Sequence, residues 1–259
     1  MAEEIGRDSK AEPIIADKIR VSYTGSDSQV LRLCNKKDTV KRFLKDRGIS
    51  VPAFKVFTKY NHCLDIEFSV IVKPVREHGS LGISGDSVVF NPNDLAREVK
   101  KILNDFNEPA ICEEYINERE ISASIMGDGE KARVISLSEI SFDISESFPK
   151  ILPYDAKWSI ESDYYEKTKP LCPANIEKKL KEDIEILALS VYRSIGIRDY
   201  GRIDFRVRDN KIFVIDVNPN PCINPKDSGF SRALRAADIS FKEFVKTLLG
   251  FALERARRC

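Results

Sequence analysis

The residues best suited to chemistry stand in two short alternations, Arg202-x-Asp204 and Asp216-x-Asn218. They sit in apolar-alternating runs, Gly201 to Phe205 and Ile212 to Val217, with Asp209–Asn210 between them as the turn. Side chains two apart on a strand share a side, so a tight hairpin sets all four on one face. Two carboxylates, an amide oxygen and a guanidinium make a hard oxygen site beside a fixed cation. Mg²⁺ uses such a site when phosphate oxygens complete its shell, and the guanidinium could neutralise a phosphoryl group in flight. Charges alternating on a surface hairpin are also common, so these four residues alone leave both readings open.

Two weaker sets accompany them. Lys37 opens a helix, where the dipole does not favour a cation, and Lys73 ends an apolar strand just before a loop carrying Gly79, Ser80 and Gly82. A lysine leaving a buried strand can point at an anion, and glycines let backbone N–H groups approach phosphates. The loop matches neither G-x-x-x-x-G-K-[ST] nor a strand-to-helix G-x-G-x-x-G. The third set is Glu113–Glu114–Tyr115–Ile116 with Glu120 after it. A strand running into a short connector can offer backbone groups to an adenine edge, and Glu120 could accept from ribose hydroxyls. Acidic strand ends are more often simply solvated.

The elements that must position these residues alternate between the two periodicities. Lys10 to Arg20 reads as a helix and Ser22 to Ser26 as a turn. A helix from Asp38 stops at Gly48, and strands follow at Ala53 to Thr58, Phe68 to Lys73 and Ser87 to Phe90. Asn93 is expected to cap a helix with Leu95, Val99, Ile102, Leu103 and Phe106 on its apolar face. Ala110 to Tyr115 is a strand, and Glu120 to Met126 pairs with Ala132 to Leu137 across Gly127–Asp128–Gly129. Residues 141–172 read as one long loop, and Asn218 to Gly229 as a proline-rich one. Helices fill Ile176 to Ile195 and Ser240 to Arg257. The sum is an α+β chain with antiparallel sheets.

Composition narrows the function. A net charge of +1 over 259 residues argues against nucleic acid or an anionic membrane as partner. No apolar run is long enough to span a bilayer, and Met1 to Lys10 lacks the apolar stretch of a signal peptide, so a cytoplasmic protein is expected. Cys34, Cys63, Cys112, Cys172, Cys222 and Cys259 form no C-x-x-C pair and only His62 and His78 could join them, which speaks against zinc, iron–sulfur and disulfide frameworks.

In order and interval the motifs resemble the ATP-grasp family, and in detail its D-alanine–D-alanine ligase branch, over nearly the whole chain. Tyr23–Thr24–Gly25–Ser26–Asp27 is similar to the turn closing that branch's first domain, and Lys37 through Gly48–Ile49–Ser50–Val51–Pro52 to the opening of its central domain. Val70–Ile71–Val72–Lys73–Pro74 and the loop to Gly82 resemble its phosphate-binding strand and lid. Tyr154–Asp155–Ala156–Lys157–Trp158 and Cys172–Pro173–Ala174 stand where it has an active-site loop. Gly201–Arg202–Ile203–Asp204 and Asp216–Val217–Asn218–Pro219–Asn220–Pro221 resemble its metal signature, the most specific of these motifs.

The resemblance implies an ATP-grasp fold: two α+β subdomains, residues 35–110 and 111–259, clasping ATP, with 1–34 a remnant of an N-terminal domain. It implies Lys37, Lys73 and Lys157 on ATP phosphates under the Gly79–Ser80 loop, Glu113, Tyr115 and Ile116 around the adenine, and Glu120 on the ribose. Asp204, Asp216 and Asn218 would hold Mg²⁺, usually as a pair of ions and replaceable by Mn²⁺, with Arg202 and Lys157 as the catalytic pair. The reaction implied is an ADP-forming union of a small carboxylate with an amine through an acyl phosphate, which asks for positioning and charge neutralisation rather than a protein nucleophile. Loops 77–82 and 141–172 are expected to close over the nucleotide.

Some positions depart from the branch. Its earlier first-domain residues have no counterpart, which leaves three readings: a truncated gene, a fragment, or a chain completed by a homodimer or a partner that supplies them. Gly79 and Trp158 replace a serine–tyrosine pair, Cys222 a glycine, and Asp216 a longer glutamate; Asp227 stands near a serine that meets a substrate carboxylate and would repel it. The first reading is thus a ligase acting on an amino acid or small carboxylate. The second is a non-catalytic ATP-binding module needing a partner. The third, a strict D-alanine–D-alanine ligase, is opposed by Gly79, Trp158 and Asp227.

Overall fold

Two antiparallel sheets organise the chain. In the computed structural model residues 11–60, 64–145, 148–153 and 166–257 are described. The first sheet holds β1 (Phe54–Phe57), β2 (Val70–Pro74), β3 (Val88–Val89) and β4 (Ala110–Glu114) in the order β1-β4-β2-β3. The second holds β5 (Arg119–Met126), β6 (Arg133–Phe142), β7 (Thr168–Leu171), β8 (Tyr200–Arg208) and β9 (Lys211–Asn218) in the order β7-β6-β5-β8-β9. This is the α+β class expected.

The helices cover one face of each sheet. Helices α1 (Ala11–Lys18), α2 (Ser28–Cys34) and α3 (Lys37–Lys45) precede β1. Helix α4 (Pro92–Asp105) buries Leu95, Val99 and Ile102 against Phe57, Val70 and Val72 of the first sheet. Its cap is Asn91, whose side chain accepts from the N–H groups of Asn93 and Asp94, with Pro92 in the first turn. Asn93 is therefore not the cap: proline fits the first helical position because its missing N–H is not needed there, which moves the cap one residue ahead of it.

Helix α5 (Lys178–Ile195) lays Ile184, Ala188 and Val191 under the second sheet, against Ile121, Ala123, Ile203 and Phe205. Val30, Cys34, Val40 and Leu44 of α2 and α3 join that same core. A boundary at 110 does not follow the sheets: β4 pairs with β1 and β2, so the chain changes sheet between Glu114 and Arg119. Helices α6 (Gly229–Ala236) and α7 (Phe241–Ala256) close a third cluster, where Tyr200 meets Phe230 and Phe244 edge-on at 5.5 and 5.8 Å.

Sequence periodicity missed three elements. Helices α2 and α6 are only a turn or two long and are started by side-chain caps, Asp27 and Ser228. The far end of the 141–172 stretch is strand β7, which carries Pro170 and, among the described residues, pairs only with β6. Proline is tolerated there because an edge strand need not donate on its free side.

In β8 the alternation is clean: Ile203, Phe205 and Val207 are buried while Arg202, Asp204 and Arg206 turn to the opposite face. In β9 a register shift opposite Asp204 and Phe205 leaves Ile215 as the extra residue. That bulge lets Val214 and Val217 both reach the core while Asp216 and Asn218 face the cleft.

Candidate active site

A cavity of about 1260 Å³ opens between the sheets. Register alone places the candidate metal corner. Arg202 lies opposite Asn218, and Asp204 opposite Asp216, across the β8–β9 pair. On the other side of β8, Ser124 is the partner of Arg202, Ser122 of Asp204 and Glu120 of Arg206. The four residues of the hairpin motif thus share one cavity wall, as their spacing requires. Gly201 is fixed by packing: a Cβ there would stand 3.0 Å from the Ile197 side chain and 3.1 Å from the Tyr192 ring.

Asp216 is half-buried, and its desolvation works to raise its pKa. Lys37, then His78 and Arg202, outweigh burial and hold the carboxyl below its usual range. Asp204 accepts two hydrogen bonds from Arg202, Nε at 2.8 Å and Nη2 at 2.9 Å. Among the described residues no three His, Cys, Asp or Glu side chains gather as a metal cluster. A cation here would rest on Asp204, Asp216, the Asn218 amide oxygen and oxygens brought by a ligand. That donor set is hard and incomplete, which suits Mg²⁺ bound together with phosphates.

Lysines from the other sheet face this corner. Lys73 on β2 reaches Glu113 Oε2 at 3.1 Å, and Lys41 on α3 reaches the same oxygen at 3.3 Å. Lys37, first residue of α3, donates its ammonium to the Glu77 carbonyl. Burial lowers the pKa of Lys37 and of Lys41, with Asp216 and Glu113 respectively pulling the other way. Burial would raise Glu113, yet Lys41 and Lys73 hold it low. Lys37 and Lys73 line this end of the cavity beside Glu113 and Asp216, so cations and carboxylates meet at one wall. Phosphate is the natural complement of the two lysines.

The predicted nucleotide residues divide. Lys37, Lys73, Gly79, Ser80, Glu113, Tyr115, Ile116 and Glu120 all line the cavity. Glu113 Oε1 is buried and has no hydrogen-bond partner among the described residues, an acceptor facing a ligand-sized space. A nucleobase amino group would satisfy it. The Tyr115 N–H is taken by the Ser69 carbonyl at 3.0 Å, so that backbone donor is not free for a base edge. Glu120 is ion-paired with Arg206, whose other bonds go to the Glu118 carbonyl at 2.8 Å and the Lys150 carbonyl at 2.6 Å. A ribose would share Glu120 with that guanidinium. Ser80 donates to the Leu152 carbonyl at 2.7 Å, tying the glycine loop to the segment before residue 154. Gly82 serves packing instead of phosphate approach: its φ is +76°, and a Cβ would meet Pro74 Cγ at 2.6 Å and Phe106 Cζ at 2.9 Å. Lys157, with Tyr154 to Trp158, lies outside the described residues.

Sequence reading missed Lys41, Arg206 and Arg232. Lys41 had a signal: it follows Lys37 by one turn and shares a face with Val40 and Leu44, an unusual place for lysine. Arg206 continues the two-residue step from Arg202 and Asp204. Arg232 had none, because no element is read between the loop ending at Gly229 and the helix from Ser240.

Two antiparallel sheets closing on a cleft that carries a carboxylate–amide corner and half-buried lysines define an ATP-grasp protein. The family model for "D-ala D-ala ligase C-terminus" matches residues 43–250, and the chain belongs to that ligase family. Over 247 residues it is 30% identical to the uncharacterized protein y4sG of Sinorhizobium fredii, covering 94% of this chain and 70% of that one. It is 26% identical to a D-alanine–D-alanine ligase of Cupriavidus pinatubonensis, over 95% of this chain and 72% of that one. Among solved structures, the Bacillus anthracis D-alanine–D-alanine ligase complexed with ATP matches with a TM-score of 0.75 at 20% identity, over 95% of this chain and 75% of that one. The VanG D-Ala:D-Ser ligase of Enterococcus faecalis matches with a TM-score of 0.75 at 21% identity, over 95% and 69%. At these identities the solved structures establish the fold. Among the described residues no helix is long and apolar enough to cross a membrane.

Proposed function

We propose that the protein is an Mg-ATP-dependent ligase that activates a small carboxylate as an acyl phosphate and joins it to an amine, releasing ADP and phosphate. One observation carries this reading. The Arg202–Asp204 and Asp216–Asn218 pairs share one cavity with half-buried Lys37 and Lys73, opposite charges that suit a metal-bound polyphosphate. Lys37 and Lys73 would bind phosphates, the Gly79–Ser80 loop would cover them, and Glu113, Tyr115, Ile116 and Glu120 would hold the nucleoside. Mg²⁺ on Asp204, Asp216 and Asn218 supplies charge neutralisation at the transferring phosphoryl group. Arg202 stands beside that position and is the protein's own stabiliser of the transferred charge. Lys157 joins the catalytic set on the sequence resemblance alone, and 1–34 is read as the remnant of an N-terminal domain, although Val30 and Cys34 pack into the core of the second sheet.

The test is ADP release from Mg-ATP in the presence of pools of D- and L-amino acids, with Arg202→Ala as control. ADP that depends on a pool and on Arg202 supports the reading. Mg-ATP binding without pool-dependent ADP in any combination rejects it for this chain.

A further inference from the structure

Arg202, Arg232 and Arg235 line one part of the cavity. Helix α6 packs against β6, and β5 and β6 lay Ser122, Ser124 and Ser138 along the cavity wall. From α6, Arg232 reaches into the same space. Its Nη1 donates to the Asp227 carbonyl at 2.7 Å. Its Nε is buried without an acceptor, and no hydrogen bond engages Nη2 among the described residues. The Nε/Nη2 edge is the one that Arg202 gives to Asp204 and Arg119 gives to Glu139. In Arg232 that edge has no carboxylate.

The surroundings make the vacancy costly. Arg202 and Arg235 are both close enough to disfavour a further charge, and burial adds to that. Arg235 is held by the carbonyls of Pro225 at 2.9 Å and Lys226 at 3.5 Å. Asp227 is the nearby acid, but its side chain is exposed and forms no ion pair with Arg232 among the described residues. A half-buried guanidinium keeps such a position at a cost in free energy unless an anion arrives to meet it. Gly229, with Arg232 Nη2 3.7 Å from where its Cβ would stand, leaves the approach clear.

Resting on the ligase reading, we infer that Arg232 forms a subsite for an additional substrate carboxylate, so that the amine acceptor is a dicarboxylic amino acid. Arg202 stays with the phosphoryl group, the serine wall contributes hydroxyl donors, and the Nε/Nη2 edge of Arg232 takes the side-chain carboxylate. Asp227 lines the same cavity, and the charges of Arg232 and Arg235, which line it too, offset the repulsion expected from it.

The experiment is calorimetric binding of aspartate, glutamate, asparagine and glutamine, each as D and L forms. The protein is saturated with Mg²⁺ and a non-hydrolysable ATP analogue, and ADP release with Mg-ATP is measured in parallel. At least one acid should bind about 10-fold to 100-fold more tightly than its amide, the range of a charge-assisted hydrogen bond. Arg232→Met should remove that preference while leaving the affinity for the ATP analogue unchanged, and Arg232→Lys should restore part of it. Equal binding of acid and amide, no binding of either acid, or a preference that survives in Arg232→Met overturns the subsite. ADP release with neutral amino acids alone would overturn it while the ligase reading stands. Acid binding that depends on Arg232 without ADP release would keep the subsite and remove the ligase reading.

Discussion

Asp204 and Asp216 face each other across β8 and β9, yet only Asp216 is open to a cation, because Arg202 grips Asp204 through bonds of 2.8 and 2.9 Å. A metal that used both carboxylates would loosen that grip and release the guanidinium toward the phosphates. Arg202→Ala should keep Mg²⁺-dependent ATP binding while kcat falls by about 10²–10³, the loss typical of one transition-state donor. Asp216→Asn should instead weaken the Mg²⁺ dependence itself. Nucleotide binding titrated with Mg²⁺, alongside turnover, separates the two.

The second relationship is buried. Glu113 is 1% exposed and accepts from Lys41 and Lys73 through one oxygen. Removing the acid leaves two buried ammonium groups facing each other. Glu113→Ala should lose about 3–5 kcal/mol of stability, as broken buried pairs do. Lys41→Met should lose less, because Lys73 remains to pair with Glu113. Urea unfolding of the two variants gives the order, and the reverse order would show that Lys41 is the structural partner.

These cases show what the sequence could reveal. Arg202, Asp204, Asp216 and Asn218 were legible because strand alternation and a two-residue turn determine a shared face with no knowledge of the rest of the fold. Lys37 and Lys73 were legible as cations out of place. The buried role of Glu113 was not, since burial depends on β4 lying between β1 and β2, a non-local pairing that local pattern does not encode. The bulge at Ile215 was equally hidden, although it decides that Val214 and Asp216 take opposite sides. Arg232 stayed unseen because α6 owes its start to the Ser228 cap rather than to a long apolar period.

Arg206 and Ser80 tie two loops to the nucleoside end. Arg206 holds the Lys150 carbonyl at 2.6 Å, and Ser80 holds that of Leu152 at 2.7 Å. Closure over a nucleotide should therefore couple loop 77–82 to the segment around Leu152. Mg-ATP should protect both from limited proteolysis in the wild type. Ser80→Ala should reduce the protection at both together, and Arg206→Ala should raise KM for ATP by about 10-fold by releasing Glu120 and the Lys150 carbonyl from their shared guanidinium. Protection of one loop without the other would break the coupling.

Glu108 gives a pH signature of opposite sign to the site carboxylates. It is 5% exposed, with Oε1 accepting from the Arg76 N–H at 3.4 Å and Oε2 lacking a partner among the described residues. Burial raises its pKa above the ordinary 4.5; the Arg76 N–H, Lys37 and the Arg76 guanidinium pull it down, and Glu77 pushes it further up. A raised carboxyl takes up a proton on folding, so its contribution is fully present below the ordinary value and is lost as pH rises through the folded one. Glu113 and Asp216 are held low and act in the other sense, losing their contribution only as pH falls below the ordinary carboxylate values of 4.5 and 3.8. In a comparison of Glu108→Gln with the wild type those contributions cancel to the extent that the sites act independently. The stability difference should therefore be flat below about pH 4.5, the group's ordinary value. Above it the difference should move in favour of Glu108→Gln until the folded-state carboxyl is fully ionised. Urea midpoints from pH 4 to pH 8 test this, on the order of one pH unit per step. A difference that stays level throughout would mean that Glu108 ionises in the folded protein as freely as in the unfolded chain.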